Sequence, residues 1–92
     1  MPKFLIEVPH DAATIGCART VETFLKTGSH FLSHAHWGCR DGVHKSWMIV
    51  EVDSKSEARG IVPPGVRDDA KVVQLNTFTI DEIESVLREH RS

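Results

Sequence analysis

HKSWMIVEVD, residues 44–53, is the stretch on which the reading of this chain turns. Its Trp, Met, Ile and Val side chains favour a strand. A strand's period of two sends Met48, Val50 and Val52 to one side, and Trp47, Ile49 and Glu51 to the other. Working outward, two more segments have the same make-up. KFLIEV, residues 3–8, runs into a proline and separates Phe4, Ile6 and Val8 from Leu5 and Glu7. AKVVQLNTF, residues 70–78, separates Val73 and Leu75 from Val72, Gln74, Asn76 and Phe78. The expected sheet therefore has one apolar face for helices to cover and one mixed face, suited to a half-polar pocket or a subunit interface.

Helical patterns fill the gaps between these strands. Asp11 is placed to cap a helix running to about Lys26, with Ile15, Ala18, Val21 and Leu25 as its buried stripe and Cys17 and Phe24 flanking it. Gly28 supplies a stop. Residues 30–37 alternate loosely and are expected to form the remaining strand, followed by a GCRDG turn at 38–42. Ser54 to Val62 fits a short helix ended by Pro63-Pro64-Gly65. Thr79 and Glu82 have capping-box spacing and open a last helix, with Ile83, Val86 and Leu87 expected to face inward. The order β-α-β-β-α-β, then α, is that of an α+β, ferredoxin-like domain spanning residues 1–92, with a four-stranded antiparallel sheet and an extra C-terminal helix.

Composition narrows the partners. Eleven Lys plus Arg stand against 13 Asp plus Glu, a formal charge of -2 without a basic stripe, which argues against nucleic acid. No run approaches the ~18 apolar residues of a membrane span. MPKFLIEVPHD does not read as a signal peptide, and the two cysteines read as reduced thiols, so a cytoplasmic location is expected.

SHFLSHAHWGCRDGVHKSW, residues 29–47, concentrates the chemistry, with four of the six histidines, one of two cysteines and both tryptophans. On a strand over 30–37, His30, His34 and His36 share one face and join Glu7 and Glu51 on the mixed side. A bulge near Gly38–Gly42 would instead set His36 across from His44. His34-Ala35-His36 is a His-x-His pair, with Cα atoms about 7 Å apart on a strand, able to converge on one ion. His30, His44, Glu7 or Glu51 could complete a zinc, nickel or copper site. The plainer reading is a polar edge that discourages strand-to-strand aggregation.

Cys39 and His44 flank the turn together with Asp41. A thiol beside an imidazole suits a nucleophile or a soft metal ligand, while Asp41 also serves simply to shape the turn. Cys17 reads as packing, and His10 and His90 as residues at helix ends. Trp47, with Glu7 and Glu51, would line a ligand pocket on the mixed face.

Taken together, SHFLSHAHWGCRDGVHKSWMIVEVD, the EVPH before it and the AKVVQLNTFT after it resemble a family of small bacterial ferredoxin-like domains. That family is similar to the dimeric α/β-barrel group and related to small nickel-binding proteins of the same fold. The resemblance covers roughly residues 3–87. His30, Trp37, Gly38, Cys39, Asp41, Gly42 and His44 match the family pattern. His34 and His36 fall where Asn- and Asp-type residues are usual, so that pair belongs to this chain rather than to the family. The resemblance implies a homodimer whose sheets pack face to face, and it brings nickel binding without a complete ligand set.

Three readings follow. The first is a metal-binding homodimer holding a divalent transition metal (nickel, zinc or copper) through His30, His34, His36 and His44, with Cys39 or Glu51 as further ligands. The second is a dimeric α/β-barrel enzyme acting on a small organic substrate, with His30, His44 or Glu51 as acid–base group and Trp47 as pocket wall. The third is a dimerising module without chemistry.

Overall fold

The computed structural model describes residues 1–90. Strands β1 (Lys3–Pro9), β2 (His36–Trp37), β3 (Lys45–Glu51) and β4 (Lys71–Leu75) form one antiparallel sheet in the order β2-β3-β1-β4, which is the ferredoxin-like arrangement. Helices α1 (Thr14–Lys26), α2 (His30–Ser33), α3 (Lys55–Ile61), α4 (Pro64–Arg67) and α5 (Ile80–Glu89) complete the order.

The central pair β1–β3 forms as its alternation predicts. Phe4 lies opposite Val50 and Ile6 opposite Met48, and all four, with Val8, are buried on the helix side. The core closes with Phe24, Leu32, Ala58, Val62, Ala70 and Val72. On the other side of the sheet, Ile49 is 61% exposed and Val73 41% exposed.

Local capping explains where several helices start, but not α1: its N-cap is Ala13 with no side-chain cap, and Asp11, expected to cap it, lies two residues earlier, its Oδ1 accepting from the Ala13 amide at 3.0 Å. Ser54 Oγ accepts from the Glu57 amide at 3.1 Å and opens α3. Thr79 Oγ1 accepts from the Glu82 amide at 3.2 Å and its hydroxyl donates to Glu82 Oε1 at 3.1 Å, so Thr79 caps α5 as expected, with Glu82 bonded to the hydroxyl rather than to the Thr79 amide. Gly28, in the left-handed region at φ 75°, ends the first helix. The turn after it was not foreseen, nor was α4, whose Pro64 sits at the first helical position that proline favours.

Four further expectations are corrected. Residues 30–37 do not form one strand: His30–Ser33 is helical and the strand is two residues long. Ser29 caps that turn, its hydroxyl accepting from the Leu32 amide, and Phe31, Leu32 and Ala35 then form an inward helical cluster against the core. The buried stripe of α1 is rotated from the predicted one. Phe24 is fully buried against Trp37, with ring centroids 4.8 Å apart, whereas Ile15 and Leu25 are 65% and 57% exposed. The largest side chain near the sheet edge sets the helix's orientation.

In β4 the faces are reversed. Val72 lies opposite Ile6 in the core and Val73 is on the open side, because two adjacent valines leave the alternation ambiguous and pairing decides it. Finally, α5 does not face inward: it buries no residue, and Val86 and Leu87 are about half exposed. The long axis of the molecule reaches 57 Å against 29 and 20 Å for the others.

Candidate metal centre

Antiparallel pairing brings the end of β1 beside the start of β3, with Pro9 opposite Lys45. His10 and His44 are the residues just beyond those ends, so the sheet itself makes them neighbours. The His10 amide donates to the His44 carbonyl at 3.1 Å, and the two rings stand edge to face at 5.5 Å between centroids. The first turns of α1 start above this corner and present Cys17.

Cys39 arrives from a single 3-10 turn, Cys39–Asp41, that leads from β2 back to β3. Two glycines make that turn feasible. At Gly38 a Cβ would lie 2.7 Å from the Val43 carbonyl oxygen and 2.9 Å from the Trp47 ring, and Gly42 closes the turn at φ 81°. The Gly38 carbonyl accepts from both the Asp41 and Val43 amides at 3.0 Å, and the Gly38 amide donates to the Lys45 carbonyl at 3.1 Å. The backbone polar groups of the loop are thus satisfied by one another, which fixes where its thiol points.

The outcome is a compact donor set. His10 Nε2 lies 3.2 Å from Cys39 Sγ and 3.4 Å from Cys17 Sγ, and the two sulfurs are 3.4 Å apart. With His44 included, one donor atom from each residue lies within 4.8 Å of the others. All four residues are half-buried. Trp37 stands against the His10 ring at 5.5 Å and backs the cluster with Phe24 behind it.

Electrostatics favour the ligating form at His10 and the protonated thiol at Cys17. Burial and the neighbouring His44 lower the His10 pKa, while attraction to the Val8 backbone and to the Asp11 carboxylate works the other way. The net effect favours a neutral imidazole, the ligating form. The Cys17 thiol donates to the Cys39 sulfur, and this bond, followed by burial and the Cys39 charge, raises its pKa. Nδ1 of both His10 and His44 is buried without a partner in hydrogen-bonding geometry among the described residues. Two imidazoles and two thiols within coordination spacing are a group that could hold a metal ion.

Of the residues singled out in the sequence, Cys39 and His44 belong to this cluster. His30 and His34 do not belong to it: their rings lie against one another at the two ends of α2, tilted by 42° with centroids 4.3 Å apart, and His34 Nδ1 is 2.8 Å from the His30 carbonyl. His36 lies on β2 opposite Trp47, exposed, so His34 and His36 do not share a strand face. Winding residues 30–33 into a helix removes the geometry on which the His-x-His argument depended.

Glu7 and Trp47 are side by side on the open face, where Trp47 Nε1 donates to Glu7 Oε1 at 3.2 Å and Lys45 Nζ lies 3.6 Å from Glu7 Oε2. Glu51 is at the far end of β3, exposed and 3.6 Å from Lys3 Nζ, so it does not converge with them.

His10 and Cys17 are the residues that sequence reasoning missed. Their sequence separations from Cys39 are 29 and 22, too long to read as a motif. A usable signal was nonetheless present, since pairing the two strongest strands antiparallel places His10 beside His44.

No family model, curated protein or solved structure matches the chain. Among the described residues, no helix is long and apolar enough to cross a membrane.

Proposed function

We propose that this protein binds one transition-metal ion through His10, Cys17, Cys39 and His44, and that zinc(II) is the ion the site suits best. The observation that carries the reading is the triangle of His10 Nε2 and the two sulfurs, with sides of 3.2, 3.4 and 3.4 Å. Metal–ligand bonds of about 2.0–2.3 Å at tetrahedral angles separate donor atoms by roughly 3.3–3.8 Å, so three mutual contacts of this size form one face of a tetrahedron. A square-planar site, the usual preference of nickel(II) or copper(II), would stretch one of the three across a diagonal of about 4.5 Å. Tetrahedral S2N2 coordination is the arrangement typical of zinc. Four protein donors leave no open position, which favours a structural or metal-storing role over hydrolysis at the ion.

The test is elemental analysis and native mass measurement on untagged protein exposed separately to zinc, nickel and copper. One zinc per chain, lost in Cys17→Ser/Cys39→Ser and retained in His30→Ala/His34→Ala/His36→Ala, supports the site. Metal-free protein after all three exposures, or ions lost with the second set of changes, overturns it.

The open sheet face favours a second, compatible reading, that the chain works as a homodimer. Ile49, Val73, Phe78, Ile80, Val86 and Leu87 are all at least two-fifths exposed. Ile49 and Val73 lie on the sheet, whereas Phe78 lies beyond β4 and Ile80, Val86 and Leu87 lie on α5, and apolar surface left uncovered in this way suits a subunit interface. Sedimentation should give twice the chain mass for the wild type and a monomer for Ile49→Glu; a wild-type monomer at high concentration rejects the dimer.

A further inference from the structure

We infer that Cys17 and Cys39 are an oxidative modification site, at which peroxide joins the two sulfurs in an intramolecular disulfide and so expels the metal. The expulsion rests on the metal reading above, whereas the thiol chemistry stands independently of it. Both cysteines are free, and their sulfurs are already 3.4 Å apart. A cavity of 420 Å³ opens directly on the pair, with His36, Arg40 and Ala35 also in its wall. A solute the size of hydrogen peroxide therefore reaches the sulfurs without unfolding the domain.

The two sulfurs are held by unequal supports. Cys17 is on a 13-residue helix, whereas Cys39 is on a single turn between Gly38 and Gly42. Shortening 3.4 Å to a sulfur–sulfur bond of about 2.05 Å therefore falls to the Cys39 turn.

The reaction balances with peroxide as the oxidant. One thiolate sulfur attacks a peroxide oxygen, the O–O bond breaks, and hydroxide leaves and is protonated to water, giving a sulfenic acid. The second sulfur attacks the first, the S–S bond forms, the S–O bond breaks, and the departing hydroxide takes up a proton to leave as water. Two electrons pass from the sulfur pair to peroxide, two protons are consumed from solvent when the starting sulfurs are metal-bound thiolates, and the zinc keeps its charge. Losing both thiolates leaves the ion on two imidazoles, a much weaker site. A low-molecular-weight thiol reverses the step by exchange.

The experiment treats zinc-loaded protein with hydrogen peroxide while a chromophoric chelator reports free zinc and peptide mapping without reduction locates the cross-link. The inference expects one zinc released per Cys17–Cys39 disulfide on the same time course, with rebinding after dithiothreitol. Zinc released alongside sulfinic acids or intermolecular disulfides overturns it. Ala35→Leu narrows the cavity and should slow disulfide formation and zinc release together, several-fold, at unchanged zinc stoichiometry; an unchanged rate overturns the proposed access. Metal-free protein is treated in parallel. If it forms the disulfide yet never takes up zinc, the metal reading fails and the dithiol site stands; if it binds zinc but forms no disulfide, this inference alone fails.

Discussion

Five of the six histidines of this chain fall into two groups that sequence proximity does not distinguish. His30, His34 and His36 are exposed on and beside a short helix and on an edge strand, and the polar contacts of His30 and His34 are with one another and with Ser33. His10 and His44 are 34 residues apart by number, yet they meet at one corner of the sheet with two thiols between helix and turn. Density of a residue type along the chain reflects local chemistry, whereas convergence of donor atoms needs elements that end at the same place. The inner group is costly to desolvate and is repaid only if an ion is held there; the outer group is solvated and asks for nothing.

The sharpest way to break this contrast is to load the protein with zinc and follow thermal unfolding. At free zinc 100-fold above its dissociation constant, linkage predicts about 2.7 kcal/mol of added stability. For a domain of this size that corresponds to a rise of roughly 10–20 °C in Tm. The rise should vanish in His10→Ala and His44→Ala and persist in the triple variant of the outer histidines. A rise that survives in the inner variants would place the ion elsewhere.

Gly38→Ala tests whether the turn itself positions Cys39. The added methyl group meets the Val43 carbonyl and the Trp47 ring, so roughly 1–3 kcal/mol of stability should be lost, with zinc affinity falling alongside. Urea unfolding and a competitive zinc titration would measure both. An affinity unchanged in a destabilised protein would mean that the thiol is positioned by other contacts. Replacing His30, His34 and His36 by alanine together should alter unfolding free energy by no more than about 0.5 kcal/mol, since all three are exposed. A larger loss would give the outer group a structural role that the contacts do not suggest.

The smallest effect concerns acid. The His10 pKa is lowered in the folded protein from its ordinary 6.5, so the unfolded chain takes up that proton first as pH falls. The metal-free protein should therefore be at its most stable, as far as His10 is concerned, above pH 6.5. Stability should decline as pH drops below that value towards the lowered folded-state pKa. Denaturant midpoints between pH 7.5 and 5 would show this, and His10→Gln should flatten the slope. A midpoint that rises on acidification would reverse the sign and the account of His10.

Much of the architecture was readable from residue pattern alone. Phe4, Ile6 and Val8 against Met48 and Val50 announce the central strand pair, and Ser54 and Thr79 mark helix starts by hydrogen bonds that form within a few residues. Residues 30–37 were not readable, because Phe31, Ala35 and Trp37 satisfy alternation while Phe31, Leu32 and Ala35 satisfy a helical period, and the Ser29 cap decides between them. Neither was β4, where Val72 and Val73 offer the core the same side chain on either face. Cys39 and His44 were legible as a thiol and an imidazole bracketing a glycine-rich turn. His10 and Cys17 looked like a helix-end residue and a packing residue because nothing nearby in the chain gives them a partner.

By itself, then, the amino-acid order determined the central strand pair and the caps at Ser54 and Thr79, since these depend on periodicity and on bonds reaching three or four residues. Only the tertiary structure decided the candidate site. A four-donor cluster is set by where the ends of β1, α1 and the Cys39 turn fall in space, to within a few ångströms, and separations of 22 and 29 residues carry no local energy that a pattern could record.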